Sequence, residues 1–274
     1  MKGPRLLSIG HPGGGRGGPR LLPRPDRELH ARPGLRRGHA LLAASALILA
    51  TPAHALPLDP LGDPDQFHRD IEAINARPLP DGEPLAIAVG QAVLADAKMR
   101  GRCEPKRMSL TKPDPVTLDG MITGLIAKGQ IENGWIVSVR LDDCPPADPI
   151  RVLLLRATDG QKLQAFFAGQ GESLVWPSLG REVLTATVAA VSQRLSREDP
   201  ACKPAQLTPT GARITARSPD LGPSRYGIRL KGSWNEAWTF EPCGHRVSVP
   251  IAFRTNGTGG AYWDIGTDGI VFTR

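Results

Sequence analysis

The sequence predicts an α+β fold made of two tandem copies of one unit, each a helix followed by an antiparallel β-meander and each closed by one disulfide. Three observations carry this. The four cysteines fall into two pairs with equal spacing, Cys103 to Cys144 and Cys202 to Cys243, 41 positions apart in both cases. Unrelated residue types match in the same register: Cys103-Glu-Pro105 answers Cys202-Lys-Pro204, and Trp135 and Trp234 each precede the second cysteine by nine. In each copy the apolar periodicity switches from helical to alternating between the two cysteines, as expected for a helix giving way to half-buried strands.

The elements follow in order. A short helix over 64–76 has Asp63 as its cap and turns Phe67, Ile71 and Ile74 inward. Within the first unit, 84–169, Pro84 suits a helix N-terminus, Leu85, Val89, Ala92 and Val93 form a stripe, and Gly101 suits the stop. Trp135, Val137, Val139 and Leu141 then alternate with Ile136, Ser138 and Arg140, followed by Ile150, Val152 and Leu154. Thr158-Asp159-Gly160 marks a hairpin turn into 162–167.

A linker is expected over 170–181. The second unit, 183–274, opens with Leu184, Val188, Val191 and Leu195 on one helical face. Trp234, Trp238 and Phe240 alternate, then Val247, Val249 and Ile251, and Thr255-Asn256-Gly257 turns the chain into 260–265. Four cysteines allow three pairings. The duplication selects Cys103–Cys144 and Cys202–Cys243, because a unit that is doubled must first have been closed by itself. Closing a loop of about 40 residues stabilises each unit by roughly 4 kcal/mol in the chain-entropy view.

Residues 1–55 read differently. Arg32, Arg36 and Arg37 precede an eleven-residue apolar run, Ala40 to Ala50, and Ala53 and Ala55 then offer a small-residue cleavage site. That is the pattern of a cleavable export signal, and the run is about half of what a bilayer needs. Arg36-Arg37 lacks the context of a twin-arginine signal, and no cysteine follows the cleavage site to take a lipid. Residues 1–30, rich in Gly, Pro and Arg, precede a complete signal and read as a mis-set translation start. Residues 56–83 are a linker carrying the short helix. The expected mature protein is periplasmic or secreted, in a compartment where disulfides persist, with no transmembrane segment after cleavage.

Charge narrows the partners. The formal net charge is +7, but nine Lys/Arg against Asp26 and Glu28 in the leader account for all of it. The remaining 219 residues hold 25 basic and 25 acidic side chains. A neutral mature chain without a basic stripe argues against nucleic acid, so the expected partner is an unknown protein or cell-envelope component.

Chemistry-bearing residues are sparse. Four of six histidines leave with the leader, and His68 and His245 alone give no metal-ligand set, so neither metal nor cofactor is expected. Gly171-Glu-Ser173-Leu lacks the glycine that a nucleophile elbow needs. No catalytic residue is assigned, and the leading expectation is a non-catalytic binding or structural module. The alternative is an envelope hydrolase using His245, Glu236 and Asp264. Glu236 is the odd member, since it falls on the apolar face where the first copy has Val137. Tyr262 and Trp263, adjacent on one strand, point to opposite faces, and the outward one offers a stacking platform for sugar, peptide or a partner.

The stretch Trp238-Thr-Phe-Glu-Pro-Cys243-Gly244, followed by Val247-Ser-Val249 and Gly259-Gly260, resembles small exported proteobacterial proteins of unknown function. The resemblance covers about the last 70 residues; the first copy departs from it, with Val139 and Pro145 at the Trp and Gly positions. It implies an exported domain and carries no activity with it.

Overall fold

Both cysteine pairs are bonded as expected: Cys103 to Cys144 and Cys202 to Cys243, with Cα separations of 5.7 and 5.9 Å. These bonds close an α+β architecture in a computed structural model that describes residues 6–8, 58–144, 148–159, 162–204 and 207–273. The expected signal and its cleavage site lie outside the described residues, as does Gly160 of the first hairpin turn.

Helix α1 spans Pro64–Asn75, and Asp63 caps it by accepting the Asp65 amide at 3.0 Å. Helix α2 spans Gly82–Met99. The first sheet follows: β2 (Arg107–Leu110), β3 (Asp114–Pro115), β4 (Ile131–Leu141), β5 (Ile150–Ala157) and β6 (Leu163–Gln170). Strands β2 and β3 both pair with β4, and the order runs β2-β4-β5-β6. A three-residue strand β1, Leu6–Ser8, lies antiparallel beyond β2. It belongs to the segment upstream of the expected cleavage point.

Between β3 and β4 runs an eight-residue helix α3, Gly120–Ala127, which the sequence reading missed. Its signal was Asp119, an N-cap residue standing before an apolar run.

Helix α4 spans Pro177–Glu198 and starts inside the expected linker. Pro177 takes the first helical position, where a missing N–H loses nothing, so the true connection is only 171–176. The second sheet comprises β7 (Gly211–Arg217), β8 (Ser233–Phe240), β9 (Arg246–Thr255), β10 (Ala261–Ile265) and β11 (Val271–Thr273). Its order is β7-β8-β9-β10, with β11 also on β9. Thus each half is a helix followed by a meander of the same strand order. The first has its opening strand split into β2 and β3, the second its closing strand split into β10 and β11.

Packing distinguishes the halves. In the first, Leu85, Val89 and Val93 of α2 cover Trp135, Val137, Val139, Val152 and Leu154. The opposite face of the same sheet buries Leu153 and Leu155 against Ile71 and Ile74 of α1 and Ile122 and Ile126 of α3. A sheet covered on both faces explains the unbroken apolar run Val152–Leu155. In the second half, Val183, Val191 and Leu195 of α4 pack on Trp234, Phe240, Val249, Ile251 and Phe253. The other face of that sheet is open, carrying exposed Ala252, Arg254, Tyr262 and Asp264.

Both halves belong to one compact unit. They are joined where Gly171 bridges to Ala212 of β7. Gly171 has φ +87°, and a Cβ there would lie 2.0 Å from the Ala212 carbonyl oxygen, so only glycine permits this approach. Asp119 adds a second tie. One carboxylate oxygen accepts the Met121 and Ile122 amides and the other accepts Ser178 at 2.7 Å, so one buried side chain caps both α3 and α4. Among the described residues no helix is long and apolar enough to cross a membrane.

Candidate functional site

Glu236 leads to the centre of the molecule. It sits mid-β8 on the inner face, with no exposed surface. Its Oε1 accepts the Leu174 amide at 2.8 Å and the Trp234 indole at 3.0 Å, and Oε2 accepts the Trp238 indole at 2.9 Å. Three N–H donors to one carboxylate is what a buried anion needs to offset its desolvation. The first half offers an internal comparison. Val137 replaces the Glu, and the indole N–H of Trp135 is left buried without an acceptor.

The Leu174 amide belongs to the short connection between halves, and its neighbours are held from the opposite side. Arg151 of β5 donates through Nη1 to the carbonyls of Ser173 at 3.0 Å and Val175 at 3.2 Å, and through Nη2 to Ala168 at 3.2 Å. Burial pulls the Arg151 pKa down, and the field of Glu236 pushes it back up; the guanidinium remains charged. Residues 173–175 therefore form a strap drawn between a half-buried cation of the first half and a buried anion of the second. Sequence reading found the anion and missed the cation, since an Arg in an alternating strand reads as solvent-facing.

Beside the strap, between β6 and the start of β7, lies a groove of about 350 Å³. Its walls are apolar: Ile136, Leu153 and Phe166 from the first sheet, Trp176 and Leu184 from α4, and Trp238 from β8. The charged side chains lining it are Arg100, Arg151 and Arg181, with no Asp or Glu. Arg100 is engaged with Asp96 at 2.7 Å and lies over the Phe167 ring. On the other side of the strap a wider polar cleft of about 520 Å³ is lined by Ser109, Thr111, Ser138, Arg140 and Arg217, with Arg151 and Ser173 common to both spaces. Nearby, burial raises the Asp114 pKa against the opposing pull of Arg229. Arg229 is lowered by burial and by Arg217.

The structure separates the three residues of the hydrolase alternative. Glu236 is on the inner face of the second sheet. Asp264 is exposed on the outer face, opposite Ala252. His245 lies at the entry to β9, where its Nε2 meets Asp199 Oδ2 at 2.8 Å and its ring packs at 4.7 Å from Phe272. That hydrogen bond is the main reason the Asp199 carboxyl is held below its usual range. The pair lies beside the second disulfide, the Cys202 amide donating to the Asp199 carbonyl, and it reads as a clamp on the chain after α4.

Tyr262 and Trp263 diverge as alternation requires. Trp263 packs against the second core, whereas Tyr262 is 63% exposed with the Arg254 guanidinium 5.4 Å from its ring centre. No group of three or more His, Cys, Asp or Glu able to hold a metal occurs among the described residues.

Scans against family models, curated proteins and solved structures find no match to this chain.

Proposed function

We propose that the processed chain is an exported, periplasmic or secreted binding module without catalytic function, and that it holds a small apolar ligand in the groove between its halves. One observation carries the reading: a concave apolar space whose polar contact is placed by a dedicated buried network. Ligand sites are commonly clefts of roughly 300–1,000 Å³, mostly apolar with a few fixed polar groups, and the groove has that composition and size. Two disulfides fit an oxidising compartment. The two halves are read as copies of one ancestral unit, supported by equal cysteine spacing and shared strand order, and the groove as a product of joining them.

The test uses the protein purified from periplasmic extract of cells expressing the full chain. N-phenyl-1-naphthylamine, a neutral dye that brightens in apolar surroundings, is expected to bind in the wild type. Binding should be lost in Leu184→Trp, which fills the groove. Undiminished dye binding by a folded Leu184→Trp variant would overturn the groove as the site.

A further inference from the structure

Arg151 has more hydrogen-bonding capacity than the strap uses. A guanidinium presents five N–H groups in a fixed fork. The carbonyls of Ser173, Val175 and Ala168 take three of them, two from Nη1 and one from Nη2. The Nε–H has no acceptor although it is buried, and Nη2 has a second N–H beyond the one given to Ala168. Nε and Nη2 share the edge of a guanidinium that grips a carboxylate side-on.

What lies next to that edge is Gly169, opposite Arg151 across the β5–β6 ladder. A Cβ at residue 169 would stand 3.6 Å from Nη2 and 3.9 Å from Nε. A side chain there would stand in contact with the unused edge, and both residues line the apolar groove. Around them are Ile136, Leu153, Phe166 and Trp238, with exposed Arg181 at the rim and no acidic side chain in the lining. An apolar wall with one unsatisfied fork and no carboxylate in its lining is complementary to one class of molecule.

We infer that the groove takes a small apolar carboxylate, an aliphatic or aromatic acid whose carboxylate lies side-on against Nε and Nη2 of Arg151 over Gly169 while its hydrocarbon part fills the space between β6, α4 and Trp238. This rests on the groove being the ligand site and adds the chemistry of the ligand. Arg151 then has two partners of opposite roles: the strap fixes its position, and the ligand takes the edge the strap leaves. Glu236 is a positioning residue, holding the strap and balancing the half-buried cation while touching no ligand.

Decanoate and decan-1-ol separate the two layers of this reading, because they share a chain and differ in the anionic group. Each is titrated into the dye complex of the wild-type protein, and decanoate is expected to displace the dye at least tenfold more tightly. In the same protein labelled with nitrogen-15, the Arg151 Nε–H resonance should move on adding decanoate and not on adding decan-1-ol. Arg151→Lys keeps the charge beside Glu236 but removes the fork, and should bring the two ligands to similar affinity. Equal displacement by both ligands in the wild type overturns the carboxylate inference and leaves the groove reading standing. Displacement by neither sinks the groove reading itself. A decanoate preference with an unmoved Arg151 Nε–H resonance, or one undiminished in folded Arg151→Lys, removes Arg151 as the anchor. If Arg151→Lys does not fold, the wild-type resonance decides.

Discussion

Replacing Glu236 with Gln changes one oxygen for one NH₂ and removes one charge, so its consequences can be worked from the contacts. In its best orientation the amide oxygen stays with Leu174 and Trp234 and the NH₂ faces the Trp238 indole N–H, donor against donor. One buried charge-assisted bond is lost, at about 1–3 kcal/mol. Arg151 also loses the field that offsets its burial. Removing one member of a buried pair costs about 3–5 kcal/mol when the two touch; here the strap intervenes, so part of that range applies. Glu236→Gln should therefore destabilise by about 2–4 kcal/mol, read as a lower urea midpoint with unchanged slope. Glu236→Ala, which orphans all three donors of a side chain with no exposure, should cost more. In the double variant with Arg151→Met the losses should be less than additive by at least about 1 kcal/mol, because the second change removes the cation that the first left exposed to a low-dielectric site. Followed by tryptophan fluorescence, a Glu236→Gln midpoint indistinguishable from wild type, with strict additivity, would refute the strap as a tie between the halves.

The two halves make a paired comparison possible. Trp135→Phe removes an indole N–H that has no acceptor and should stay within about 1 kcal/mol of wild type, whereas Trp234→Phe takes a donor from Glu236 and should cost about 2 kcal/mol more by calorimetry. Asp119→Ala removes the caps of α3 and α4 together and should cost roughly 2–4 kcal/mol, at about 1–2 kcal/mol per cap; hydrogen exchange should speed at Met121, Ile122 and Ser178, and acceleration at α3 alone would contradict the shared cap. Asp199 has a folded pKa below its unfolded value of about 3.9, so its contribution is present above that value and lost as pH falls through the folded pKa. Acid titration of Asp199→Asn should accordingly show a flatter stability loss below about pH 4 than the wild type; identical acid limbs would exclude the His245 clamp.

Much of the fold was legible in the sequence because its signals are local. Cysteine spacing, the Trp135 and Trp234 register and the alternating strands each depend on residues close in the chain. The cap at Asp63 and the stop at Gly101, which sits at φ +61°, are local as well. Helix α3 escaped because eight residues give barely two turns of periodicity, and its cap Asp119 also serves α4, a contact no spacing reveals. The start of α4 was set too late because Trp176-Pro177 was read as linker instead of as cap and first turn. The candidate site was half visible. Glu236 stood out as a carboxylate on an apolar face, but its meaning depends on Arg151, 85 positions earlier. The unbroken run Val152–Leu155 held the missing clue: strands apolar on both sides are covered on both sides, and an Arg beside such a run belongs to a buried face. Alternation turns Tyr262 outward and Trp263 inward, yet the apolar groove lies where the halves meet, and no local spacing points to it.

The central claim is that ligand recognition belongs to the junction of the halves. It is tested most directly by mapping the amide resonances of the purified protein during titration with decanoate. The account expects the shifts to cluster on Phe166–Gly169, the strap at Ser173–Val175, the first turns of α4 and Trp238, with the outer face around Arg254, Tyr262 and Asp264 silent. Shifts confined to that outer face, or none at saturating decanoate, would contradict it.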